Sequence, residues 1–250
     1  MTSGLVSIIT PTYNCGKFIA ETINSVLAQT YTNWEMIVVD DCSNDDTKEI
    51  VESFARNNNK IKYHRLDINS GAAVARTIAM QLANGELMAF LDSDDLWMPD
   101  KLQRQIDFMK TKGIAFSGTS YEQIDENGKP LGKVIKAIKK TNYKRLLLDC
   151  PVGNSTVMYN VNVLGKFEVP NIRKRNDDAL WLRMLKKEQY IWGMPDILMK
   201  YRIRANSISS NKLQLIKYHW YLYREIEQLN IISSACHICW WCLLKVFMFK

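Results

Sequence analysis

The chain has 250 residues, 47% of them apolar, which is enough for a catalytic domain with a sizeable core. Its six cysteines, at positions 15, 42, 150, 236, 239 and 242, are too scattered for a small disulfide scaffold. The net charge is +7, and the segment from Lys200 to Lys250 supplies most of it with eight Lys or Arg and two acids. This basic end favours an anionic surface, either membrane headgroups or nucleic acid. The N-terminus lacks the features of an export signal, which predicts a cytoplasmic protein.

Strand and helix patterns alternate through the first half of the chain. Apolar runs predict strands at Leu5–Thr10, Met36–Val39, Ile61–Leu66 and Leu87–Leu91. Apolar residues at helical spacing predict helices at Gly16–Gln29, Thr47–Phe54 and Ala72–Ala83. This alternation predicts an α/β fold with a doubly wound, mainly parallel sheet that has helices on both faces.

Polar segments follow all four predicted strands. They are Thr10–Asn14, Asp40–Ser43, Asp67–Gly71 and Asp92–Asp95. Each one alone has the composition of an ordinary turn or helix cap. Together they should lie along one edge of the sheet, where open α/β sheets bind their ligands.

The last of these segments places three carboxylates, Asp92, Asp94 and Asp95, directly after a buried strand. Like charges so close together repel, and burial adds a desolvation cost. A divalent cation on Asp92 and Asp94, Mg²⁺ or Mn²⁺, would relieve this cost and could bind a diphosphate. A solvated cluster that caps a helix is the alternative.

Other residues at the same edge suit a nucleotide. Asp40 could accept hydrogen bonds from a base or ribose, and Tyr13 offers an aromatic face beside the stiff Pro11. Arg76 could approach phosphate from its helix, with a surface salt bridge as the alternative. Neither a GxGxxG loop nor a P-loop is present.

Three segments in this order, Val6–Asn14, Val38–Ser43 and Phe90–Asp95, resemble the family 2 glycosyltransferases of the GT-A fold. The resemblance implies an inverting transferase with a nucleotide-sugar donor, usually UDP-linked. It also implies the residues that hold the donor and its metal, with Asp92 and Asp94 as the metal ligands. The donor-binding set that it implies is Thr10, Pro11, Thr12, Tyr13, Asp40, Arg76, Asp92 and Ser93. One departure is Thr77, where the family often has Asn.

The second half should supply the acceptor side. Strands are predicted at Ile114–Tyr121 and Lys133–Ile138, around a turn at Glu126–Lys129, with a short helix at Thr141–Leu148. The segment Gly153–Tyr159 resembles the family's strand before the catalytic region, and Tyr201–Ser209 begins like the stretch that closes its active site.

The same resemblance points to the catalytic base. Family members often show Glu-Asp four to five residues before the Trp of one helix, and counting back from Trp181 places Asp177 on the Asp and Asn176 on the Glu. Inverting displacement needs one base to take the proton of the acceptor hydroxyl. Asp177 is therefore the predicted base and Asp178 the second candidate. Helix capping by one of these acids is the structural alternative.

The C-terminal segment differs in character from the rest of the chain. Lys212–Leu229 has a helical pattern rich in Tyr and Trp, and Ile231–Lys250 is strongly apolar with interspersed Ser, His and Lys. This predicts an amphipathic helix in the membrane interface, with packing on the catalytic domain as the alternative. We therefore expect a catalytic domain at 1–210, with a nucleotide-sugar half at 1–110 and an acceptor half at 111–210, and a membrane-associating tail at 211–250.

A short transferase with such a tail resembles bacterial enzymes that build O-antigen or capsule repeat units. That implies transfer of a hexose to a saccharide on undecaprenyl diphosphate, by a protein peripheral to the inner face of the cell membrane, without nucleic acid. A different acceptor, or an inactive relative that only binds nucleotide-sugar, is the alternative. A phospho-receiver domain would be about half as long, and a nucleotidyltransferase would carry a Gly- and Lys-rich loop where the chain has Thr10–Tyr13.

Overall fold

The computed structural model describes residues 1–204 and 212–247 of the chain. In its first half, strands and helices alternate as the sequence predicts. The elements are β1 (Thr2–Thr12), α1 (Gly16–Leu27), β2 (Trp34–Asp40), α2 (Thr47–Asn57), β3 (Ile61–Arg65), α3 (Ala72–Leu82) and β4 (Gly85–Phe90).

These strands form a parallel half-sheet in the order β3-β2-β1-β4. In the register, Thr12 of β1 lies beside Asp40 of β2, and Ile9 of β1 lies beside Phe90 of β4. The carboxyl ends of the parallel strands therefore meet at one edge, as the sequence predicts.

The second half completes a mixed sheet. Its elements are β5 (Leu96–Trp97), α4 (Lys101–Lys112), β6 (Phe116–Ile124), β7 (Pro130–Ile135), β8 (Lys140–Thr141), α5 (Tyr143–Leu148), β9 (Met158–Asn160), α6 (Val161–Leu164), α7 (Asn176–Met184) and β10 (Ile191–Arg202). The order continues β4-β9-β6-β10-β5, with β9 antiparallel to both of its neighbours and β10 parallel to β6. The α/β fold with a doubly wound sheet is confirmed, and the four adjacent parallel strands β1 to β4 lie in the half that carries the predicted polar segments.

Two segments differ from the expected elements. Gly153–Tyr159 is a strand only at its end, because Asn154–Thr156 forms a 3₁₀ turn whose side chains bond the loop after β4. The long strand β10 was not predicted; its apolar residues are interrupted by Gly193 and Pro195, which hide the strand pattern.

Helices cover both faces of the sheet. Residues of α1, α2 and α4 pack on one face against β1, β2 and β4, including Ile23, Val51 and Ile106. On the other face, α3 and α7 pack around Trp181, which is fully buried and meets Phe90 edge-on at a 4.9 Å ring-centroid separation. This second core is what brings α7 beside the end of β4.

The C-terminal segment forms α8 (Lys212–Tyr221), a π-helical turn (Leu222–Ile226) and α9 (Ile231–Phe247). It packs on the domain: the Tyr223 hydroxyl donates to the Leu147 carbonyl at 2.7 Å, and buried Glu227 pairs with Lys186 at 2.7 Å. The opposite side of α9 faces outward. Within residues 1–204 and 212–247, every helix is too short or too polar to cross a membrane. The predicted division of the chain at residue 210 stays a prediction.

Candidate active site

The end of β1 carries two buried threonine hydroxyl groups. The Oγ1 atoms of Thr10 and Thr12 make no hydrogen bond to any residue that the structure describes. Buried hydroxyl groups normally find a partner, so these two are available to a ligand or to water. Pro11 is buried between them, and Tyr13 follows with 47% of its surface exposed.

Asp40 ends β2 and is fully buried. One of its carboxylate oxygens accepts from the backbone N–H and the hydroxyl of Ser43, at 2.9 and 2.6 Å, and the other accepts from the Tyr63 hydroxyl at 2.6 Å. Burial and the Asp40 carboxylate hold the pKa of Tyr63 above its usual range, so the phenol remains a donor. Any base or ribose at Asp40 would have to share oxygens that already shape this loop.

The neighbouring acid, Asp41, sets the start of α3. Its two carboxylate oxygens accept from the backbone N–H groups of Ser70 and Gly71, at 2.6 and 2.7 Å. Gly71 has a φ of +91°, a left-handed conformation that glycine adopts at low cost, and α3 begins at the next residue. Arg76 therefore projects from a helix whose position is fixed by β2.

Arg76 bridges two parts of the edge. Its buried guanidinium donates to the Asp92 carboxylate at 3.0 Å and to the amide oxygen of Asn176, the first residue of α7. The same Asp92 oxygen also accepts from the Asn154 amide at 2.8 Å. Burial raises the pKa of Asp92, the Arg76 charge opposes that rise, and the Asp177 carboxylate adds to it. The end of β4 and the start of α7 thus share one electrostatic site.

Asp94 lies on the other side of the loop. Its carboxylate pairs with the Arg204 guanidinium at 2.8 Å, and its backbone carbonyl accepts from the Arg202 Nε atom at 2.8 Å. Burial raises the pKa of Asp94; Arg204 opposes the rise, and Asp92 adds to it. Neither arginine was predicted from the sequence, although the segment that begins at Tyr201 resembled a stretch near the active site.

The Asp95 side chain and the Ser93 backbone carbonyl form bonds to surrounding elements of the domain. The Asp95 carboxylate accepts from the Ser155 hydroxyl at 2.6 Å and from the backbone N–H of Arg202 at 3.0 Å. Burial raises the pKa of Asp95 well above the usual range. The Ser93 carbonyl accepts from the Thr22 hydroxyl at 3.0 Å. The third acid of the cluster therefore anchors the loop to β10 and to the turn before β9.

The first turn of α7 holds the two predicted acids in different surroundings. Asp178 is buried and pairs with Arg175 at 3.0 Å. Burial raises the pKa of Asp178 to about 6; Arg175 opposes the rise, and Asp177 adds to it. Asp177 is partly exposed, and its carboxylate has no hydrogen bond or salt bridge within the described part of the chain. Of the two acids, Asp177 is the one with oxygens available to a substrate.

The carboxylate oxygens at this edge suit a hard cation whose remaining coordination positions are filled by phosphate oxygens. Among the described residues there is no group of three or more His, Cys, Asp or Glu side chains arranged to hold a metal. Asp92 and Asp94 supply two carboxylates, each with one oxygen outside the hydrogen bonds and ion pairs given above. Mg²⁺ in proteins is usually coordinated by one or two carboxylates together with phosphate groups of the substrate.

Comparisons with known proteins agree with this architecture. The profile described as "Glycosyl transferase family 2" matches residues 7–172. The TuaG protein of Bacillus subtilis, named as a teichuronic acid biosynthesis glycosyltransferase, is 44% identical over 96% of this chain and 94% of its own length. An Escherichia coli protein, UDP-Glc:alpha-D-GlcNAc-diphosphoundecaprenol beta-1,3-glucosyltransferase WfgD, is 41% identical over 86% of this chain and 84% of its own.

Solved structures show the same fold. Staphylococcus aureus TarS 1–349 in complex with UDP-GlcNAc superposes with a TM-score of 0.74 at 22% identity, covering 98% of this chain and 73% of that one. The mannosyltransferase PcManGT of Pyrobaculum calidifontis, solved with GDP-Man and Mn²⁺, has a TM-score of 0.67 at 17% identity, covering 93% and 69%. Sequence profile, relatives and fold together show that this chain belongs to glycosyl transferase family 2, with a GT-A fold.

Proposed function

We propose that the protein transfers a hexose, with inversion, from a UDP-sugar to a hydroxyl group of a saccharide carried on undecaprenyl diphosphate, in the synthesis of a bacterial surface polysaccharide. The observation that carries this proposal is the Arg76 bridge, which holds the Asp92 carboxylate beside the start of the helix that bears Asp177. The names of TuaG and WfgD support the polysaccharide pathway and the lipid-linked acceptor.

The proposed chemistry is a single displacement. The Asp177 carboxylate takes the proton of the acceptor hydroxyl, whose oxygen bonds to the anomeric carbon while the bond from that carbon to the diphosphate oxygen breaks. The nucleoside diphosphate leaves from the opposite face, so the anomeric configuration inverts. Asp178 is the weaker candidate for the base, because its carboxylate is buried and paired with Arg175.

Asp92 and Asp94 would hold Mn²⁺ or Mg²⁺, which when bound supplies positive charge for the diphosphate. The chain also places cations of its own there, with Arg76 on Asp92 and Arg204 on Asp94. The positive charges of these arginines oppose the rise in the pKa of the two acids, and their hydrogen bonds fix where the carboxylates point.

The nucleoside would lie along the ends of β1 and β2. The unpartnered hydroxyls of Thr10 and Thr12 and the exposed ring of Tyr13 support this position, with Pro11 and Asp40 shaping the loop. Ser93 would contribute from the loop after β4. Stacking on an aromatic ring and hydrogen bonds to hydroxyl groups are general ways to hold a nucleoside.

We further propose that the outer face of α9 lies on the inner face of the cell membrane. This face consists of exposed apolar residues: Ile231, Ile232, Ala235, Cys236, Cys239, Trp240 and Leu243. The chain has no Asp, Glu, Lys or Arg from residue 231 to 244, so the face can enter the interface without burying a charge. A peripheral position would bring the enzyme to a lipid-linked acceptor.

The test is transfer to a synthetic GlcNAc-diphospholipid from UDP-, GDP- and dTDP-sugars, with Mn²⁺, Mg²⁺ or EDTA. We expect one UDP-hexose to give a product with inverted anomeric configuration. In Asp177→Asn, turnover should fall about 10³-fold while donor affinity is retained.

Three other outcomes are informative. Donor hydrolysis without transfer would mean that the acceptor is a different molecule. Donor binding without turnover, unchanged in Asp177→Asn, would mean a relative that binds nucleotide-sugar without catalysis. A product that retains the anomeric configuration would contradict the single displacement.

A further inference from the structure

The residue that precedes α7 has an unusual backbone conformation. Arg175 has a φ of +66°, in the left-handed region that residues other than glycine adopt only when their surroundings hold them there. Its guanidinium bonds the Asp178 carboxylate at 3.0 Å, and its side chain is 22% exposed. Something beyond the local sequence must therefore keep Arg175 in place.

The C-terminal helices supply that contact. The indole ring of Trp241, on the inner side of α9, lies 5.9 Å from the centre of the Arg175 guanidinium. Next to it in the loop, the Lys174 ammonium lies 5.8 Å from the ring of Tyr218 on α8. Both distances fall within the range in which cations are attracted to aromatic faces. Two successive cations before α7 therefore rest on aromatic rings of the C-terminal segment.

The Trp241 side chain is buried and packs against α8. It is 5% exposed and lies 4.6 Å, ring to ring, from buried His219 of α8. The next residue back, Trp240, is 47% exposed on the outer face of α9. The helix thus has one tryptophan turned towards the catalytic domain and another turned away from it.

We propose that Trp241 and Arg175 are positioning residues for transfer. Trp241 holds the Arg175 guanidinium, Arg175 holds Asp178, and this fixes the first turn of α7 so that Asp177 faces the donor. The inference deepens the proposed function and rests on it. It gives the inner side of α9 a positioning role, separate from the membrane contact that we propose for its outer face.

A purely structural role for Trp241 predicts a different pattern of effects. Loss of packing would lower the folded fraction and reduce donor binding and turnover together. Loss of positioning would lower kcat while the donor site, which lies on β1, β2 and the loop after β4, keeps its affinity. The ratio of kcat to donor affinity therefore separates the two roles.

The experiment compares Trp241→Ala, Trp241→Phe and Trp220→Ala in the full chain. Trp220 is the matched control, because it is an exposed tryptophan on α8 of the same helical pair. We expect Trp241→Ala to lower kcat by about 10-fold while the Kd for the UDP-sugar stays within about twofold of wild type. Trp241→Phe should recover most of the rate, because it keeps an aromatic face, and Trp220→Ala should match the wild type.

If Trp241→Ala does not fold, Arg175→Met and Arg175→Lys test the same contact from the domain side, with Lys expected to retain more of kcat. Equal rates for Trp241→Ala and the wild type would overturn the inference, as would parallel losses of donor binding and turnover. Absence of any product from the wild type would reject the proposed function, and this inference with it. Equal rates in the presence of wild-type product would reject the inference alone.

Discussion

At the residue scale, three aspartates of one loop have two different tasks. Asp95 has a structural role, because its two carboxylate oxygens accept hydrogen bonds from the Ser155 hydroxyl and from the backbone N–H of Arg202. Asp92 and Asp94 are each paired on one oxygen with an arginine, which leaves the other for a ligand. Keeping such acids close together costs stability, and enzymes accept that cost where charge is needed for function.

The Asp94→Asn variant tests the proposed metal site. Removing one of two carboxylates should weaken Mn²⁺-dependent binding of the UDP-sugar by about 10- to 100-fold, measured by calorimetry with and without EDTA. Asp100→Asn is the control, since that acid is half-exposed and pairs with Arg104 outside the site. Donor binding that is equally tight with EDTA, in both variants, would contradict metal dependence.

The raised pKa of Asp178 predicts a pH effect on stability. The pKa of Asp178 is about 6 in the native state, against an ordinary 3.8. As the pH rises, the unfolded chain therefore loses this proton at a lower pH than the native state does. This group therefore lowers the free energy of unfolding as the pH rises from about 4 to about 6. Asp178→Asn removes the effect, so its stability relative to wild type should improve by about 3 kcal/mol between pH 4 and pH 7.

Urea unfolding of both proteins across this pH range measures the difference. A difference that stays constant with pH would show that Asp178 is ionised throughout, with Arg175 outweighing burial and Asp177.

The sequence identifies the acids but not their partners. Asp92 and Asp94 stand out because acids directly after an apolar run are visible along the chain, whereas Asp177 is singled out by the resemblance to the family's Glu-Asp pair before Trp181. The roles of Asn154, Arg202 and Arg204 depend on contacts between residues that are distant in sequence, so no local pattern could reveal them.

At the element scale, the predictable parts are those whose stability is local. The helices α1, α2 and α3 follow from regular apolar spacing, and the parallel strands follow from apolar runs. The short strand β9 and the interrupted strand β10 exist because they pair with β4 and β6 across the sheet. Tertiary pairing of this kind overrides weak local propensity.

The start of α3 offers a test of how one element positions another. Asp41→Ala removes the acceptor for two backbone N–H groups, so we expect a loss of about 2–4 kcal/mol in the free energy of unfolding and weaker donor binding as Arg76 shifts. Asp67→Ala, an exposed acid of the same loop, should change stability by less than about 0.5 kcal/mol. If folded Asp41→Ala binds the donor as tightly as wild type, the position of Arg76 does not contribute to donor binding.

At the scale of the whole molecule, α9 has apolar residues on both of its sides. Its inner side packs on the domain through Trp241, and its outer face exposes apolar side chains to solvent. The sequence alone predicts an interfacial helix or a packed helix as alternatives, and it cannot show that one helix has both kinds of contact. That arrangement depends on Tyr223 and Glu227 binding the domain.

Vesicle binding tests the outer face. The double variant Ile232→Glu and Leu243→Glu should bind vesicles of anionic phospholipid about 100-fold more weakly than wild type, because it loses apolar contact and adds repelled charge. The control is Leu131→Glu with Val163→Glu, which makes the same changes at exposed apolar residues elsewhere. Equal losses in both double variants would mean that net charge alone governs binding.

The bonds of Arg202 have a consequence for how the enzyme forms during synthesis. Its guanidinium reaches the Glu21 carboxylate, 181 residues earlier, and the Asp94 carbonyl, 108 residues earlier. The strands β1 to β4 end by residue 90 and leave the ribosome long before β10. The acidic loop after β4, however, receives its bonds from Arg202 only after β10 has left the exit tunnel. A nascent chain shorter than this would lack the bonds from Arg202 to the loop that carries Asp94 and Asp95, so we expect competence to bind donor to arise late in translation.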